Sequence, residues 1–266
     1  MSDGAIARAF ERARAERRAA LIPYLTAGWP TLEGCREALR LAERAGADLV
    51  EVGIPFSDPL ADGVTIQRST QAALEGGMTA AGVLALVRDA RLAVPVVVMT
   101  YLNPVLAYGL DRFLGDAERA GVAGLLCTDL PAGVAPDIER RVTNSALDLI
   151  RLVAPTTPDE RLTATLGAAS GFVYLISRLG VTGARADVPP DLERHVHRVR
   201  AATSLPVAVG FGISTPAQAA AAARWADGVV VGSELVEALG AGGLAAAERL
   251  LTGLVGAVRR VKQVAA

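Results

Sequence analysis

Residues 51–63 read EVGIPFSDPLADG and place three carboxylates, Glu51, Asp58 and Asp62, within thirteen positions. Two acids in different environments are the equipment for moving a proton and for stabilising positive charge that develops beside it. Glu51 ends the apolar run LVEV, in which period-two alternation puts Leu49, Glu51 and Gly53 on one face and Val50 and Val52 on the other. With the valines packed outward under helices, Glu51 points into the interior, where lost solvation raises its pKa and suits it to general acid–base work. The competing reading is a glutamate that only accepts structural hydrogen bonds. Asp62 follows eleven residues later, after Pro55 and Pro59 restrict the backbone and before Gly63 permits a tight turn. The loop can thus arch back and present Asp62 to whatever Glu51 acts on. Asp58 is equally well a turn residue or a surface contact.

A second set of residues suits an anion. Thr182 and Gly183 lie in SRLGVTG, Gly210 and Gly212 in GFGIS, and Gly232 and Ser233 in VGSE, each just after an apolar, strand-like run. Small residues there let backbone N–H groups approach phosphate oxygens, and Ser233 adds a hydroxyl at the start of a helix. The chain has one lysine, Lys262, so backbone amides and a helix dipole are the natural way to hold phosphate. Tyr24, Tyr101, Leu126 and Tyr174 fall at the ends of other runs and give a lining that is partly aromatic and partly apolar. Any one of them can be plain packing. Together with the acids and glycines they imply a ligand with an apolar body and a phosphorylated tail.

These residues need a scaffold that gathers strand ends. Eight short runs read as strands: 21–25, 49–53, 96–99, 124–128, 147–153, 172–176, 207–209 and 228–231. Segments with helical period lie between them, including 32–45, 67–89, 111–120, 160–169, 192–202 and 216–224. Thr31 and the Ser214–Thr215–Pro216 sequence are start signals, because a side-chain oxygen satisfies a free N–H and Pro tolerates the first turn. Gly240 to Gly243 reads as a turn between a short helix and the terminal segment 246–263. The alternation fits an α/β fold, a single-domain (β/α)8 TIM barrel with an additional N-terminal helix, spanning 1–266. An open doubly wound sheet is the competitor, but the first strand runs into TAGWP and not a GxGxxG turn.

Composition narrows the function classes. Lys plus Arg (27) nearly balances Asp plus Glu (28), which argues against a nucleic-acid-binding surface. No uninterrupted apolar run reaches the roughly 18 residues of a membrane span, and 1–18 has scattered charges in place of a signal-peptide core. A cytoplasmic location without membrane association is expected. Cys35 and Cys127 are too far apart for a local metal motif and are expected to be reduced thiols. His195 and His197 are two apart on a predicted helix and point in different directions, so no metal site is expected there.

EVGIPFSDPLADG followed by TIQ, MTYLNP, LLCTDLP, APTTP, YLISRLGVTG, GFGIS and VVGS resembles the tryptophan synthase alpha subunit family, in the family's order and across nearly the whole chain. The resemblance implies a phosphate-binding barrel that cleaves indole-3-glycerol phosphate to indole and D-glyceraldehyde 3-phosphate. It also implies a partner, the tryptophan synthase beta subunit, in an alpha2-beta2 complex. No cofactor is implied in this chain, and pyridoxal phosphate would belong to the beta subunit. By the same resemblance Glu51 and Asp62 match the catalytic acids. Thr182, Gly183, Gly212, Gly232 and Ser233 match the mobile loop and phosphate cradle, with Phe211 beside the ligand. Tyr24, Ile66, Tyr101, Leu126, Thr128 and Tyr174 match the indole pocket or its surroundings. Asp129 matches an acid that meets the Asp62 segment and the partner, and Asp58 is read as a loop or partner contact. Two departures stand out: Val64 replaces a common proline, which would loosen the catalytic loop slightly, and Tyr24 stands where phenylalanine is frequent. A lyase that works without a beta subunit, and a barrel that binds its partner without catalysis, remain alternatives with the same motifs.

Overall fold

A computed structural model describes residues 4–177, 189–210 and 212–261. Strands β1 (Ala20–Thr26), β2 (Val50–Gly53), β3 (Val96–Thr100), β4 (Val122–Cys127), β5 (Asp148–Val153), β6 (Val173–Ile176), β7 (Val207–Gly210) and β8 (Gly228–Val231) close into a barrel in chain order. Every pair is parallel, including β8 with β1. The open sheet is excluded. Helices are α1 (Ala5–Ala15), α2 (Leu32–Ala45), α3 (Val64–Glu75), α4 (Ala80–Ala90), α5 (Leu102–Tyr108), α6 (Leu110–Arg119), α7 (Pro136–Thr143), α8 (Asp159–Leu166), α9 (Leu192–Ala202), α10 (Pro216–Ala223) and α11 (Ser233–Arg260).

The period-two reading made for 49–53 holds there and extends to the other strands, with Arg151 on β5 as an exception. Val50, Val52, Val96, Val98 and Leu125 pack outward in one apolar layer with α2, α4 and α6, while Val153, Val173, Val207, Val209 and Val229 form another with α8 to α11. Inside lie Ile22, Leu49, Val97, Leu126, Ile150, Tyr174, Ala208 and Val230, closed at the N-terminal end of the strands by Ile6, Ala9, Phe10 and Ala13 of α1. Phe10 meets Phe172 at 5.5 Å between ring centroids. The additional N-terminal helix is therefore the floor of the barrel, and only the opposite end is left for a ligand.

One helix reading changes. The predicted helix over 67–89 is two helices, α3 and α4, because Gly76 and Gly77 interrupt it and Gly77 takes φ +82°. The expected turn at Gly240 to Gly243 is present: Gly243 (φ 61°, ψ −158°) separates two helical stretches of α11. By length and composition alone α11 could cross a membrane, yet its Leu235, Leu239, Leu251, Leu254 and Val258 are buried in the fold. The cap signals are correct: Thr31 Oγ1 accepts from Gly34 N at 3.0 Å, and Thr215 forms a capping box with Gln218.

Ion pairs fasten two strand beginnings at the closed end. The Arg18 guanidinium grips Asp48 with two bonds, 2.6 and 2.8 Å, and Asp48 Oδ2 also accepts the Leu21 N–H at 2.9 Å. Arg200 and Asp227 repeat the device, with Val207 N–H on Asp227 Oδ2. Both Arg18 and Asp48 are buried. Asp48→Ala leaves the Leu21 N–H without its acceptor and the buried Arg18 with only the exposed Glu16 and the Ala19 carbonyl, and is expected to destabilise by about 1–3 kcal/mol. A urea titration checks this as a lower midpoint with unchanged slope.

Candidate active site

Glu51 occupies the inner face of β2 and is 1% exposed, level with Tyr24 on β1 and Val97 on β3. Its Oε1 is buried without a hydrogen-bond partner. Burial first, and the charge of Asp62 second, push its pKa up to about 8. Asp62 is half-buried at the end of the 54–63 loop, and burial raises it to about 6 against the opposing effect of a hydrogen bond from Tyr101. The two acids are close enough to influence one another and are driven to different values by unequal burial.

The loop is positioned at several points. Ile54 N–H binds Met99 O at 2.9 Å where the chain leaves β2, and Asp62 N–H binds Pro59 O at 3.1 Å. Ala61 N–H donates to Tyr101 Oη at 2.9 Å, while the Phe56 ring lies 5.2 Å from that of Tyr101. Tyr101 thus receives one bond from the loop backbone and gives one to Asp62. Val64 is the first residue of α3 and 55% exposed. A first-turn N–H needs no intrahelical acceptor, so valine in place of the proline expected from the resemblance sacrifices no hydrogen bond and gives up only the fixed φ.

Around the acids, Tyr24, Ile66, Leu126 and Tyr174 are buried, and Thr128 is partly so. Tyr24 and Tyr174 fit only because glycines face them. A Cβ on Gly53 would lie 2.1 Å from Tyr24 Oη, and one on Gly210 would lie 2.2 Å from Tyr174 Oη. Tyr24 bonds to the Thr26 side chain, which meets Ser69 Oγ at 2.7 Å, and Ser69 donates to Ile66 O at 2.8 Å. The hydroxyl that distinguishes Tyr24 from phenylalanine is thereby tied to α3. Sequence reasoning passed over Met99 and Trp29, which pack against Tyr24, Ile66 and Val236. Met99 was findable by extending the VVVM alternation inward from Val97.

Gly232 and Ser233 stand at the N-terminus of α11, and Gly212 takes φ +84° after β7. These place free N–H groups at the open end of the barrel. Thr182, Gly183 and Phe211 lie outside the described residues, as does Lys262. Asp58 is exposed and accepts from Ser57 Oγ at 2.6 Å. Asp129 Oδ1 accepts the Leu102 N–H at 2.7 Å, the first N–H of α5; its link to the Asp62 segment therefore runs through the neighbouring Tyr101. Cys127 faces outward in the apolar layer with its thiol pushed up to about 12 by burial, a poor nucleophile. His195 binds Asp191 at 2.9 Å, and His197 meets Trp225 edge-on. Among the described residues, no three His, Cys, Asp or Glu side chains converge as a metal site.

The raised Glu51 has a consequence for stability. The folded chain holds this proton up to about pH 8, whereas an unfolded carboxyl releases it near its ordinary 4.5. The folded state therefore binds more protons between those values, and its stability falls as pH rises, by about 1.4 kcal/mol per unit from this group. Glu51→Gln is expected to flatten that slope, as checked by denaturant unfolding from pH 5 to 8.

Comparison with known proteins agrees with this geometry. The family profile described as "Tryptophan synthase alpha chain" matches residues 10–264. The tryptophan synthase alpha chain of Acidiphilium cryptum is 50% identical over 240 residues, covering 89% of this chain and 87% of that one. That of a Picosynechococcus species is 44% identical over 258 residues, with coverages of 93% and 98%. A Mycobacterium tuberculosis tryptophan synthase structure superposes with a TM-score of 0.90 at 43% identity, covering 97% of this chain and 99% of its own. The alpha subunit from Legionella pneumophila gives 0.89 at 36%, with coverages of 98% and 100%. With the barrel closed, the acid pair at its open end and relatives matched over almost their full length, the chain belongs to the tryptophan synthase alpha chain family.

Proposed function

We propose that Glu51 and Asp62 divide between them the proton transfer and charge stabilisation in this family's reaction, the retro-aldol cleavage of indole-3-glycerol phosphate to indole and D-glyceraldehyde 3-phosphate. One observation carries the assignment. With Glu51 raised to about 8 and Asp62 only to about 6, at neutral pH the first carries a proton and the second a charge.

A carbanion at ring carbon 3 is a poor leaving group, so that carbon is protonated first. Glu51 gives its proton there, and the positive charge that results at the ring nitrogen is met by ionised Asp62 through a charge-assisted hydrogen bond from the ring N–H. Glu51, now a carboxylate, takes the proton from the hydroxyl on the carbon attached to the ring. The carbon–carbon bond breaks, its electron pair returns to the ring, and an aldehyde forms on the departing piece. Glu51 ends protonated, ready for the next turnover. Tyr24, Ile66, Tyr101, Leu126, Thr128 and Tyr174 suit the indole portion. Gly212, Gly232 and Ser233, with Thr182, Gly183 and Phe211, suit the phosphate.

The beta subunit is the proposed recipient of the indole, with pyridoxal phosphate on its side of an alpha2-beta2 complex. Leu60 (91% exposed), Val64, Leu106 and Val134 (68%) are large apolar side chains on the segments after β2, β3 and β4. Exposed apolar side chains on these successive segments, with Asp58 on the first of them, suit cover by a partner.

Glu51→Gln is expected to lower kcat by at least about a thousandfold, roughly 4 kcal/mol, with glycerol 3-phosphate still bound. Near-normal turnover would remove Glu51 from the mechanism. Asp62→Asn is expected to cost at least about tenfold, roughly 1.4 kcal/mol. In the wild type, kcat/KM should decline below about pH 6 and above about pH 8, and Asp62→Asn should erase the acidic decline. Leu106→Asp is expected to weaken beta-subunit binding at least about tenfold by calorimetry. Assays with and without a beta subunit distinguish this reading from a stand-alone lyase.

A further inference from the structure

Arg151 breaks the rule that the rest of the barrel obeys. It points outward from β5 between Leu149 and Val153, where an apolar side chain is expected, and it is 3% exposed. Arg151 Nη2 lies 2.6 Å from Oε2 of Glu139, a buried residue of α7. Removing such a pair from water is costly, and an apolar pair of similar volume would often stabilise the fold as well or better. Its reason is therefore to be sought in what else the two side chains hold.

They hold the loop between β4 and α7 at two points. Arg151 Nη1 donates to Leu130 O at 2.7 Å, and Gly133 N–H donates to Glu139 Oε1 at 2.7 Å. A cavity of about 260 Å³, lined by Thr128, Pro131, Arg151, Thr157 and Arg161 among others, lies alongside, so the loop is not fixed by close packing on that side. Just upstream, Thr128 N–H binds Thr100 O at 2.9 Å, and Asp129 Oδ1 accepts Leu102 N–H at 2.7 Å. These bonds fall on the residues either side of Tyr101. Thr128 also hydrogen-bonds the Tyr101 side chain, which holds Ala61 and Asp62.

We propose that Arg151 and Glu139 are positioning residues for the cleavage reaction: their buried pair clamps the β4–α7 loop at Leu130 and Gly133, and the loop in turn fixes Tyr101 and so Asp62. The proposal rests on the role assigned to Asp62 above. It makes the clamp act on the acid side of the site and leaves the phosphate side, at β7 and β8, untouched.

The test is the double variant Arg151→Met with Glu139→Met in the full chain, which removes both charges together and avoids an unpaired one. The expected result is a urea midpoint close to wild type, affinity for glycerol 3-phosphate within twofold, and kcat for indole-3-glycerol phosphate reduced at least about tenfold, roughly 1.4 kcal/mol. The acidic limb of kcat/KM should also move to higher pH, because Asp62, which faces Glu51, Tyr24 and Tyr101, loses the bond that holds its pKa down. Unchanged kcat and an unchanged acidic limb in the folded variant would overturn the proposal and leave the pair a structural one. If the double variant does not fold, Arg151→Lys serves: it keeps the charge but not the fork that reaches Leu130 and Glu139 together. A smaller fall in kcat with the same direction of pH shift supports the clamp, and wild-type behaviour overturns it. Wild-type turnover tests the assigned reaction separately, since the clamp is read only from the ratio of variant to wild type.

Discussion

Burial of one carboxylate inside a closed barrel is the constraint on which the rest of the structure depends. Glu51 faces inward with one oxygen unpartnered, and among the described residues no cation is placed to compensate it. An ionised group there is penalised by desolvation, so the proton stays on at neutral pH. That is a loss for stability in the neutral range and a gain for chemistry that begins by giving a proton away. A floor made by α1, outer layers of valine and alanine, and ion pairs at the closed end provide the stability against which such a group can be held.

Asp62 shows the opposite solution on the same segment. It sits on a loop and not a strand, keeps part of its solvent, and has a phenol donating to it. The difference between strand and loop becomes a difference in protonation. Two residues eleven apart in sequence serve as acid and as charge stabiliser because the barrel wall desolvates one and the mouth leaves the other half-solvated.

The segment after β4 connects the site to the surface. Thr128 and Asp129 secure the residues on either side of Tyr101, and Leu130 and Gly133 are held by a buried ion pair. Val134 on the same loop is exposed. A surface suited to a partner and the support for Asp62 therefore share one short stretch of chain, which gives contact at the rim a physical route to the acid.

Much of this was legible in the sequence. Alternation in LVEVG settled which way Glu51 points, because a strand between helices and an interior must sort its side chains by face; the same rule suits Leu126 and Tyr174, and applied to VVVM it would have found Met99, which the reading passed over. The quoted motifs identified the family, and the eight apolar runs the barrel. Helix 67–89 was misjudged because apolar period continues across Gly76 and Gly77, and only φ at Gly77 ends it. What tertiary structure alone decided are relations between distant residues: the phenol of Tyr24 resting on Gly53, Tyr101 bridging to the 61–62 backbone and side chain, Asp129 capping α5, and Arg151 meeting Glu139. Periodicity says which face a residue occupies. It does not say which neighbour from another strand stands opposite, and the pKa values of these acids depend on that neighbour and on the water it displaces.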